Sequence, residues 1–287
     1  MSTATHEPTI VIRDVERVSE MREVETLQKV VWGCEDLDVV PATMLIASRE
    51  VGAVLVGAYD GPSLVGFVYG FPAYENRELV HHSHMLAVLP AYRNFHLGYK
   101  LKLAQRDLVQ AQGIKRITWT FDPLQSLNAY FNFRKLGVVA DAYKINFYGE
   151  TTSSFLHQIG TDRLWVTWLV DSQWVNERLQ SDDLTKHSEV ELDQIPALVR
   201  VSNSEPLGYE SKGFGEPLIA IEVPGDINAL QHQQSNLALR WREATRWAFT
   251  MALASGYLVE DFYRSTRDEE SLGVYVLRHH AKIADLK

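Results

Sequence analysis

The sequence predicts an α/β fold in which helices flank a mixed, mostly antiparallel β-sheet. Apolar residues alternate with polar ones in several short segments, as in half-buried strands, and recur every three or four residues in longer segments, as in amphipathic helices. Read in order, these segments give the arrangement βααβββαβα up to Gly137. After Asp171 a polar stretch precedes further strands and helices, so we expect a C-terminal α/β extension.

Composition and charge narrow the class of protein. The 287 residues include 28 basic and 37 acidic side chains, a net charge of −9, with 46% hydrophobic and 23% charged residues. This balance is typical of a globular protein and disfavours a nucleic-acid binder, which usually has a basic surface. We therefore expect no nucleic-acid partner. No stretch is apolar enough to span a bilayer, so we expect no membrane partner either. The polar N-terminus is unlike a signal peptide and Cys34 is the single cysteine, so a cytoplasmic location is expected.

The segments before the central stretch predict a strand, two helices and a hairpin. In order, they are a strand from Thr9 to Arg13, a helix with apolar positions from Val18 to Val31, a second helix from Pro41 to Gly52, and an antiparallel hairpin of 53–59 and 63–71. Asp14 or Ser19 is expected to cap the first helix, which ends at Gly33.

The central stretch, from Val80 to Gly137, is predicted as strand, loop, helix, strand and short helix. The first strand ends at Val88, and loop 91–98 leads directly into a helix that Gly113 closes. The apolar stripe predicted to be buried on that helix is Leu97, Leu101, Ala104, Leu108 and Ala111. The face predicted to be exposed holds Lys100, Lys102, Gln105, Arg106 and Asp107. The next strand alternates through Ile117, Trp119 and Phe121.

A loop that joins a buried strand to the N-terminus of a helix can bind an anion. The free N–H groups of the first helical turn and the positive end of the helix dipole both point out of the helix there. Arg93 adds a positive charge to this loop. The sequence therefore predicts a phosphate site, although an ordinary α/β connection would show the same pattern.

The residues of this loop and of the short helix resemble the acyl-coenzyme A binding core of the GNAT (Gcn5-related N-acetyltransferase) superfamily. The family's loop reads Arg/Gln-x-x-Gly-x-Gly/Ala, and Arg93-Asn94-Phe95-His96-Leu97-Gly98 matches at Arg93 and Gly98 but has His96 in place of glycine. Family members then place an Asn early in a short helix that ends in Tyr-x-x-x-Gly. Asn128 and Gly137 match this pattern, and Phe133 replaces the tyrosine. Segments 118–137 and 161–165 also resemble an uncharacterised branch of predicted GNAT proteins with a C-terminal extension.

The resemblance implies that acetyl-CoA, or another acyl-CoA, is the co-substrate. By position, the backbone of Leu86, Ala87 and Val88 would bind the pantetheine arm and polarise the thioester carbonyl. The remaining residues expected to bind it, mostly through N–H groups around the pyrophosphate, are Arg93, Asn94, Phe95, His96, Leu97, Gly98, Tyr99, Asn128 and Phe133. At His96 two outcomes are open. Either the loop is reshaped and the imidazole donates to a phosphate, or affinity is low because a Cβ fills space that glycine leaves free.

Acyl transfer to an amine requires a base, and the strand that ends at Val88 supplies candidates. His82 and His84 lie on one face of this strand and His81 on the other. A histidine titrates near neutral pH, so His82 or His84 is our candidate for the base. A histidine satisfied by its strand neighbours would show the same pattern. We expect no metal site, because His82-x-His84 supplies only two ligands.

The group that protonates the departing thiolate is harder to assign, because Phe133 occupies the family's tyrosine position. Tyr130 and Asn132 are candidates to substitute for that tyrosine, although Tyr130 could equally be a core aromatic residue. Asp122, at the end of the second core strand, could hold the substrate amine or cap a turn.

Three regions are expected along the chain. They are a GNAT-like acyl-CoA-binding domain over residues 1–170, a polar connecting segment over 171–204, and an α/β subdomain over 205–287. The first includes strands over 138–148 and 163–170. In the last, a strand at 218–224, a helix closed by Gly256 and a strand at 257–263 repeat the plan of the central stretch. This subdomain is either a degenerate half of the GNAT fold or an unrelated α/β extension.

These inferences lead to one preferred function and one alternative. The preferred function is that of an acyl-CoA-dependent N-acyltransferase, an enzyme that transfers an acyl group, in the first instance acetyl, to the amine of a small molecule such as an amino acid. The alternative is a coenzyme-A-binding or protein-interaction module of GNAT fold with weakened catalysis, for which His96 and Phe133 are the evidence. The sequence leaves the acyl group, the amine and the oligomeric state open, a homodimer included.

Overall fold

The computed structural model describes residues 8–149, 159–180, 192–208 and 213–286. These residues divide into two compact units, the first ending at Ile117 and the second beginning at Thr118. Both units are mixed α/β structures, which confirms the predicted fold class. Across the described ranges, no helix is both long and apolar enough to cross a membrane. The predicted three-region division of the chain stays a prediction.

Unit one is built on an antiparallel sheet. Its strands, in their order across the sheet, are β1 (Ile10–Asp14), β2 (Val54–Asp60), β3 (Ser63–Glu75) and β4 (Glu78–Val88). The long strands β3 and β4 form a hairpin through Asn76 and Arg77, which both have positive φ. A two-residue turn with positive φ at both positions matches the natural twist of a hairpin, which favours the pairing of Glu75 with Glu78 beside it.

Helices cover both faces of this sheet. They are α1 (Val18–Trp32), α2 (Ala42–Glu50) and α3 (Leu97–Ala111). Phe67 and Ala87, which are paired across β3 and β4, belong to the hydrophobic core formed with α1 and α2. The neighbouring pair, Gly66 and Val88, lies on the other side of the sheet, beside Leu101 of α3. The faces of β4 are therefore called the α1–α2 face and the α3 face.

The first helix is capped differently from the prediction. Neither Asp14 nor Ser19 caps α1; the helix begins at Val18, and the Glu20 carboxylate accepts hydrogen bonds from the backbone N–H groups of Glu16 (3.0 Å) and Arg17 (3.1 Å). The guanidinium of Arg13 donates to the same carboxylate at 2.6 Å and is the main reason that the pKa of Glu20 is lowered to about 2. An acidic side chain in the first turn satisfies free N–H groups in this way without an N-cap side chain.

The buried face of α3 also differs from the prediction. The buried residues are Leu97, Leu101, Lys102, Gln105 and Val109, whereas Leu108 and Ala111 are exposed. The apolar stripe was therefore predicted with the wrong phase beyond Leu101. The reason is that the α3 face of β4 is polar where it meets Lys102 and Gln105, so two polar side chains are buried against polar partners.

Unit two contains the remaining strands. They are β5 (Arg116–Phe121), which starts just before the boundary, β6 (Val139–Lys144), β7 (Arg163–Leu169), β8 (Ala197–Ser202), β9 (Glu205–Leu207), β10 (Leu218–Pro224), β11 (Tyr257–Arg267) and β12 (Glu270–His279). Their order is β5-β7-β6-β11-β12-β10-β8-β9. The pair β8–β10 is parallel, and β6–β7, β6–β11, β11–β12, β10–β12 and β8–β9 are antiparallel. The strand predicted over 138–148 is too long, because the backbone turns at Asn146, where φ is +44°.

The helices of unit two connect these strands. They are α4 (Ser126–Ala129), which continues as a π-helical segment (Tyr130–Leu136), α5 (Gln173–Gln180), α6 (Ile227–Gln233) and α7 (Ser235–Ala254). Short 3₁₀ turns lie at 36–38, 90–95, 192–194 and 283–285. The region predicted as a polar connecting segment thus includes α5 and β8.

The extension repeats the topology of β5, β6 and β7, whereas the sequence predicted that it repeats the plan of the central stretch. β5 leads through α4 and the π-helical segment to β6 and then β7, and β7 lies between β5 and β6. Likewise, β10 leads through α6 and α7 to β11 and then β12, and β12 lies between β10 and β11. The extension therefore corresponds to the β5–β7 part of the chain rather than to the stretch around β4 and α3.

Buried ion pairs tie α7 to the strand ends of unit two. The guanidinium of Arg242 donates to both carboxylate oxygens of Asp122, at 2.9 and 2.6 Å, and both side chains are buried. Asp122 also accepts from the N–H of Leu124, so it caps the turn after β5. One turn further along α7, Arg246 and the hydroxyl of Tyr143 both donate to buried Asp162. Asp122 therefore has an ion-pair and turn-capping role, which replaces the suggestion that it holds a substrate amine.

The Asp122–Arg242 pair should be important for stability. Replacing Asp122 by Asn should lower the free energy of unfolding in urea by about 3–5 kcal/mol, because a buried guanidinium is left without its counter-charge. Asp193→Asn is the matched control, since Asp193 is 82% exposed where it meets Arg267, and that change should be below about 1 kcal/mol. Equal losses in the two variants would contradict this account.

Candidate functional site

The C-terminal end of β4 offers backbone hydrogen-bonding groups. Leu86, Ala87 and Val88 pair with β3 in antiparallel register. Alternate residues of an antiparallel strand direct their N–H and C=O groups toward one neighbour, so at least one of these three directs its groups away from β3. Ala87 is buried in the core with α1 and α2, whereas Leu86 and Val88 are half-buried.

The loop after β4 is a 3₁₀ turn, Pro90–Phe95, held firmly to the sheet. The N–H of Leu89 donates to the carbonyl of Val65 at 2.9 Å, and the hydroxyl of Tyr92 donates to Asp60 at 2.8 Å. Arg93 and Asn94 are exposed. The loop therefore presents a fixed backbone with an accessible cation directly before the N-terminus of α3.

His96 joins the 3₁₀ turn to α3 in a left-handed conformation, with φ of +57° and ψ of +25°. Its carbonyl accepts the N–H groups of Tyr99 and Lys100, both at 3.1 Å, and its imidazole is exposed. A left-handed conformation is unfavourable for a residue with a Cβ by about 1–2 kcal/mol, and glycine avoids this strain. The glycine of the family pattern thus suits the backbone conformation as well as the space near a ligand.

The other family glycine position lies one residue into the helix. A Cβ on Gly98 would be 3.8 Å from Leu86 in ordinary van der Waals contact, so the protein itself leaves this space open. Leu97 is buried and Tyr99 half-buried, which fixes the first turn of α3 with its leading N–H groups outward.

A β-bulge in β4 determines where its histidines lie. Tyr69 opposes Met85 and Gly70 opposes Ser83, so His84 is an extra residue that has no partner in the ladder. The rings of His82 and His84 lie on the α1–α2 face, with centres 6.3 Å apart and within 5.7–5.9 Å of the Phe71 ring. Beside them the hydroxyl of Tyr69 donates to Ser48 of α2 at 2.8 Å.

Both of these imidazoles are neutral at pH 7. Burial, with smaller repulsive effects from His84 and Lys102, lowers the pKa of His82 to about 4. Partial desolvation by the surrounding protein also lowers the pKa of His84. The side chain of His84 nevertheless keeps an exposed surface. A neutral imidazole can accept a proton.

Among the described residues, no cluster of three or more His, Cys, Asp or Glu side chains is arranged to hold a metal.

The α3 face of β4 carries a second polar group, which we call the Lys102 cluster: Lys102, Ser83, Gln105 and His81. Lys102 Nζ donates to Ser83 Oγ (2.7 Å) and Gln105 Oε1 (3.2 Å), Ser83 Oγ donates to the same Gln105 oxygen (2.9 Å), and Gln105 Nε2 lies 3.2 Å from His81 Nε2. All four side chains are buried, Lys102 with 3% exposure. Burial lowers the pKa of Lys102 well below its usual value and that of His81 to about 3.

The remaining predicted site residues belong to unit two. Asn128 is exposed on α4, Tyr130 is half-buried, and Asn132 is buried in the π-helical segment. Phe133 is fully buried, with its ring edge-on to Phe121 (6.2 Å between centres) and Tyr275 (5.7 Å). Within this unit, the family's tyrosine position is thus part of an aromatic core.

The family comparison agrees with this arrangement. Residues 18–137 match the model described as the acetyltransferase (GNAT) family. Residues 18–137 are a GNAT domain. The match begins at the first residue of α1 and ends at Gly137, so it includes β4, the 3₁₀ turn, α3 and the π-helical segment. The resemblance to the GNAT superfamily is therefore confirmed, and the resemblance to a branch with a C-terminal extension stays a prediction.

Solved structures similar to the chain include several GNAT proteins. An aminoglycoside 6′-acetyltransferase type Ii is 20% identical, with a TM-score of 0.44 over 56% of this chain and 97% of its own. The ribosomal-protein-S18-alanine N-acetyltransferase from Escherichia coli is 12% identical, with a TM-score of 0.45 over 56% and 94%. The PaiA N-acetyltransferase from Thermoplasma acidophilum, in complex with coenzyme A, is 14% identical, with a TM-score of 0.38 over 55% and 98%. The comparison with curated proteins found no match.

Sequence reasoning missed the bulge and the Lys102 cluster of the GNAT domain. One signal was present: Lys102 and Gln105 are three residues apart on one helix face, and His81 and Ser83 are two apart on one strand face. Gly70 was also missed. A Cβ there would lie 2.6 Å from the carbonyl oxygen of His82 and 2.9 Å from Gln105 Nε2, so only glycine allows the cluster to form.

Stability should depend on pH through Lys102. Its lowered pKa means that the unfolded chain binds a proton that the folded chain does not, in the pH range between that pKa and about 10.4. Stability of the wild type should therefore rise with pH in this range, by at most about 1.4 kcal/mol per pH unit, relative to Lys102→Met. Denaturant titrations at several pH values measure the difference, and Lys115→Met, an exposed lysine in the same unit, is the control. Parallel curves for wild type and Lys102→Met would contradict the lowered pKa.

Proposed function

We propose that this protein is an acyl-CoA-dependent N-acyltransferase that transfers an acyl group, acetyl in the first instance, to the amine of a small molecule such as an amino acid. One observation carries the proposal. Within the matched GNAT region, a bulged strand end leads through a fixed turn bearing Arg93 into the N-terminus of α3. This is a backbone arrangement that suits a thioester arm followed by a diphosphate.

The residues of unit one fit the expected co-substrate. The leading N–H groups of α3, from Leu97 to Tyr99, and the exposed Arg93 would hold the diphosphate, and the space beside Gly98 would admit it. The backbone of Leu86, Ala87 and Val88 would bind the pantetheine arm. The His96 imidazole is exposed, so both alternatives stated for it stay open. An acyl-CoA supplies an activated thioester, and the chain supplies the groups that bind and orient it.

His82 and His84 are the proposed bases. An amine acceptor reaches the site as an ammonium ion at neutral pH and must lose a proton before it attacks the thioester. Both imidazoles are neutral at pH 7 and lie together on the α1–α2 face, which supports this role. His84 is the more accessible of the two and is our first choice for direct or water-mediated contact with the amine.

The thiolate can leave without a tyrosine. A simple thiol has a pKa of about 8.5, so its thiolate is a fair leaving group at neutral pH, although a positioned acid would add about 10²–10⁴-fold. Tyr130 and Asn132 stay our candidates to assist. Since Phe133 is fully buried among aromatic rings, we propose that it packs the core and takes no part in proton transfer.

The second candidate function is a coenzyme-A-binding or protein-interaction module with weakened catalysis, favoured by His96 and Phe133 at two family positions. We also retain a cytoplasmic location, based on the single cysteine, and the option of a homodimer. The two functions differ in whether thiol is released when an amine is added.

The first test is turnover. Thiol release from acetyl-CoA and succinyl-CoA, measured against a panel of amino acids and other small amines, should reveal a productive pair. With that pair, His84→Ala should lower kcat/KM by about 10²–10⁴-fold and remove the acidic limb of its pH profile. That limb should lie below about 6.5 in the wild type, because the pKa of the base is lowered and activity is lost as pH falls through it. His232→Ala, an exposed histidine on α6, is the control. An unchanged profile in both His84→Ala and His82→Ala would remove histidine from the mechanism.

Coenzyme A binding tests the loop. Arg93→Ala should weaken binding in calorimetry by about tenfold or more, since hydrogen bonds to charged groups contribute about 1.5–3 kcal/mol. His96→Gly should bind equally well or more tightly, because glycine adopts the left-handed conformation without strain. A large loss of affinity in His96→Gly would make the imidazole a phosphate ligand. No binding by the wild type, with no rise in its melting temperature, would contradict the acyltransferase and the coenzyme-A-binding module, and would leave the protein-interaction module as the remaining candidate.

A further inference from the structure

The bulge in β4 decides which histidines reach the α1–α2 face. In the observed register, His82 opposes Phe71 and Ser83 opposes Gly70. If His84 were paired instead of bulged, Gly70 would oppose His84, and every residue before it would shift by one place. Because side chains alternate along a strand, this shift would turn His82 and His84 to the α3 face and bring His81 and Ser83 to the α1–α2 face.

The hydrophobic pattern of residues 81–84 does not decide between these registers. Residues 81–84 read His-His-Ser-His, so the two faces of this part of the strand are similarly polar in either register. Register is weakly specified where neither face is clearly apolar. The two-residue turn at Asn76 and Arg77 favours the observed pairing at the far end of the hairpin, and an interaction near His84 is needed to place the extra residue there.

The Lys102 cluster supplies that interaction. Lys102 Nζ and Gln105 Oε1 both bond to Ser83 Oγ, at 2.7 and 2.9 Å, immediately before the bulge. Gln105 Nε2 contacts His81 two residues earlier, so α3 engages the strand at both positions that the slip would turn away. Gly70 of β3 leaves the space for these contacts.

Stability alone does not explain a buried lysine here. Burying an ammonium group is unfavourable, and replacing a buried polar network by apolar residues of similar volume is often neutral or stabilising. Buried polar groups can instead specify one register among alternatives, as single polar residues do in coiled coils.

We propose that Lys102 and Gln105 are positioning residues that select the bulged register of β4 and thereby place His82 and His84 on the α1–α2 face. The consequence for catalysis rests on the proposed acyltransferase function. The register itself does not depend on that function and can be measured without a substrate.

The experiment is a histidine map of the full chain with diethyl pyrocarbonate, read by mass spectrometry. In the wild type, exposed His84 should react fastest, half-buried His82 more slowly, and buried His81 least. In Lys102→Met and in Gln105→Met, His81 should gain and His84 lose reactivity by about tenfold, as expected if the slipped register is favoured by about 1.4 kcal/mol. Lys115→Met, an exposed lysine after α3, should retain the wild-type map.

Turnover gives the second readout. With a productive amine, kcat of the two variants should fall by about tenfold or more, while KM for the acyl-CoA changes little, because the backbone after the bulge is unaltered. Should either variant fail to fold, Ser83→Ala, which removes one hydroxyl, should show the same exchange of reactivity to a smaller degree. Folded variants with the wild-type histidine map would overturn the proposal. A wild type without turnover would overturn the proposed function, and the map would still decide the register.

Discussion

The contact between Lys102 and Ser83 is the constraint on which the candidate site depends. It joins α3 to β4 at the residue before the bulge, and it lies behind the strand whose other face carries His82 and His84. A buried amine in this position must give up hydration, and it does so by donating to oxygens that are themselves fixed. We propose that the arrangement of the two strand faces depends on this contact.

The same helix serves the site at its other end. Its first turn presents N–H groups beside Arg93, and its second and third turns contact Ser83 and His81 of β4 through Lys102 and Gln105. The loop between strand and helix is anchored separately by Tyr92 on Asp60. A single helix thus links the part of the protein proposed to bind the diphosphate to the part proposed to position the base.

Much of this could be predicted from the sequence, and the failures have physical causes. The element order up to Gly137 and the loop before α3 follow from local periodicity and from Gly and Pro positions, which tertiary contacts did not override. The phase of α3 failed at Lys102 because hydrophobic periodicity assumes that lysine is exposed, and here a polar strand face buries it. The bulge could not be predicted because local sequence patterns do not determine which residue of β4 is left without a partner on β3. The His96 conformation was missed in part, since the family glycine was interpreted as space for a ligand rather than as a left-handed backbone position.

The strand order of unit two has a consequence for assembly. β11 pairs with β6, at Val259 and Ala140, so the outer edge of β6 is already hydrogen-bonded within the chain. An open strand edge is a template on which another polypeptide can add, and proteins commonly protect such edges. By supplying its own neighbour there, the extension closes that edge to strand addition by a second copy, so any homodimer would have to form through another surface.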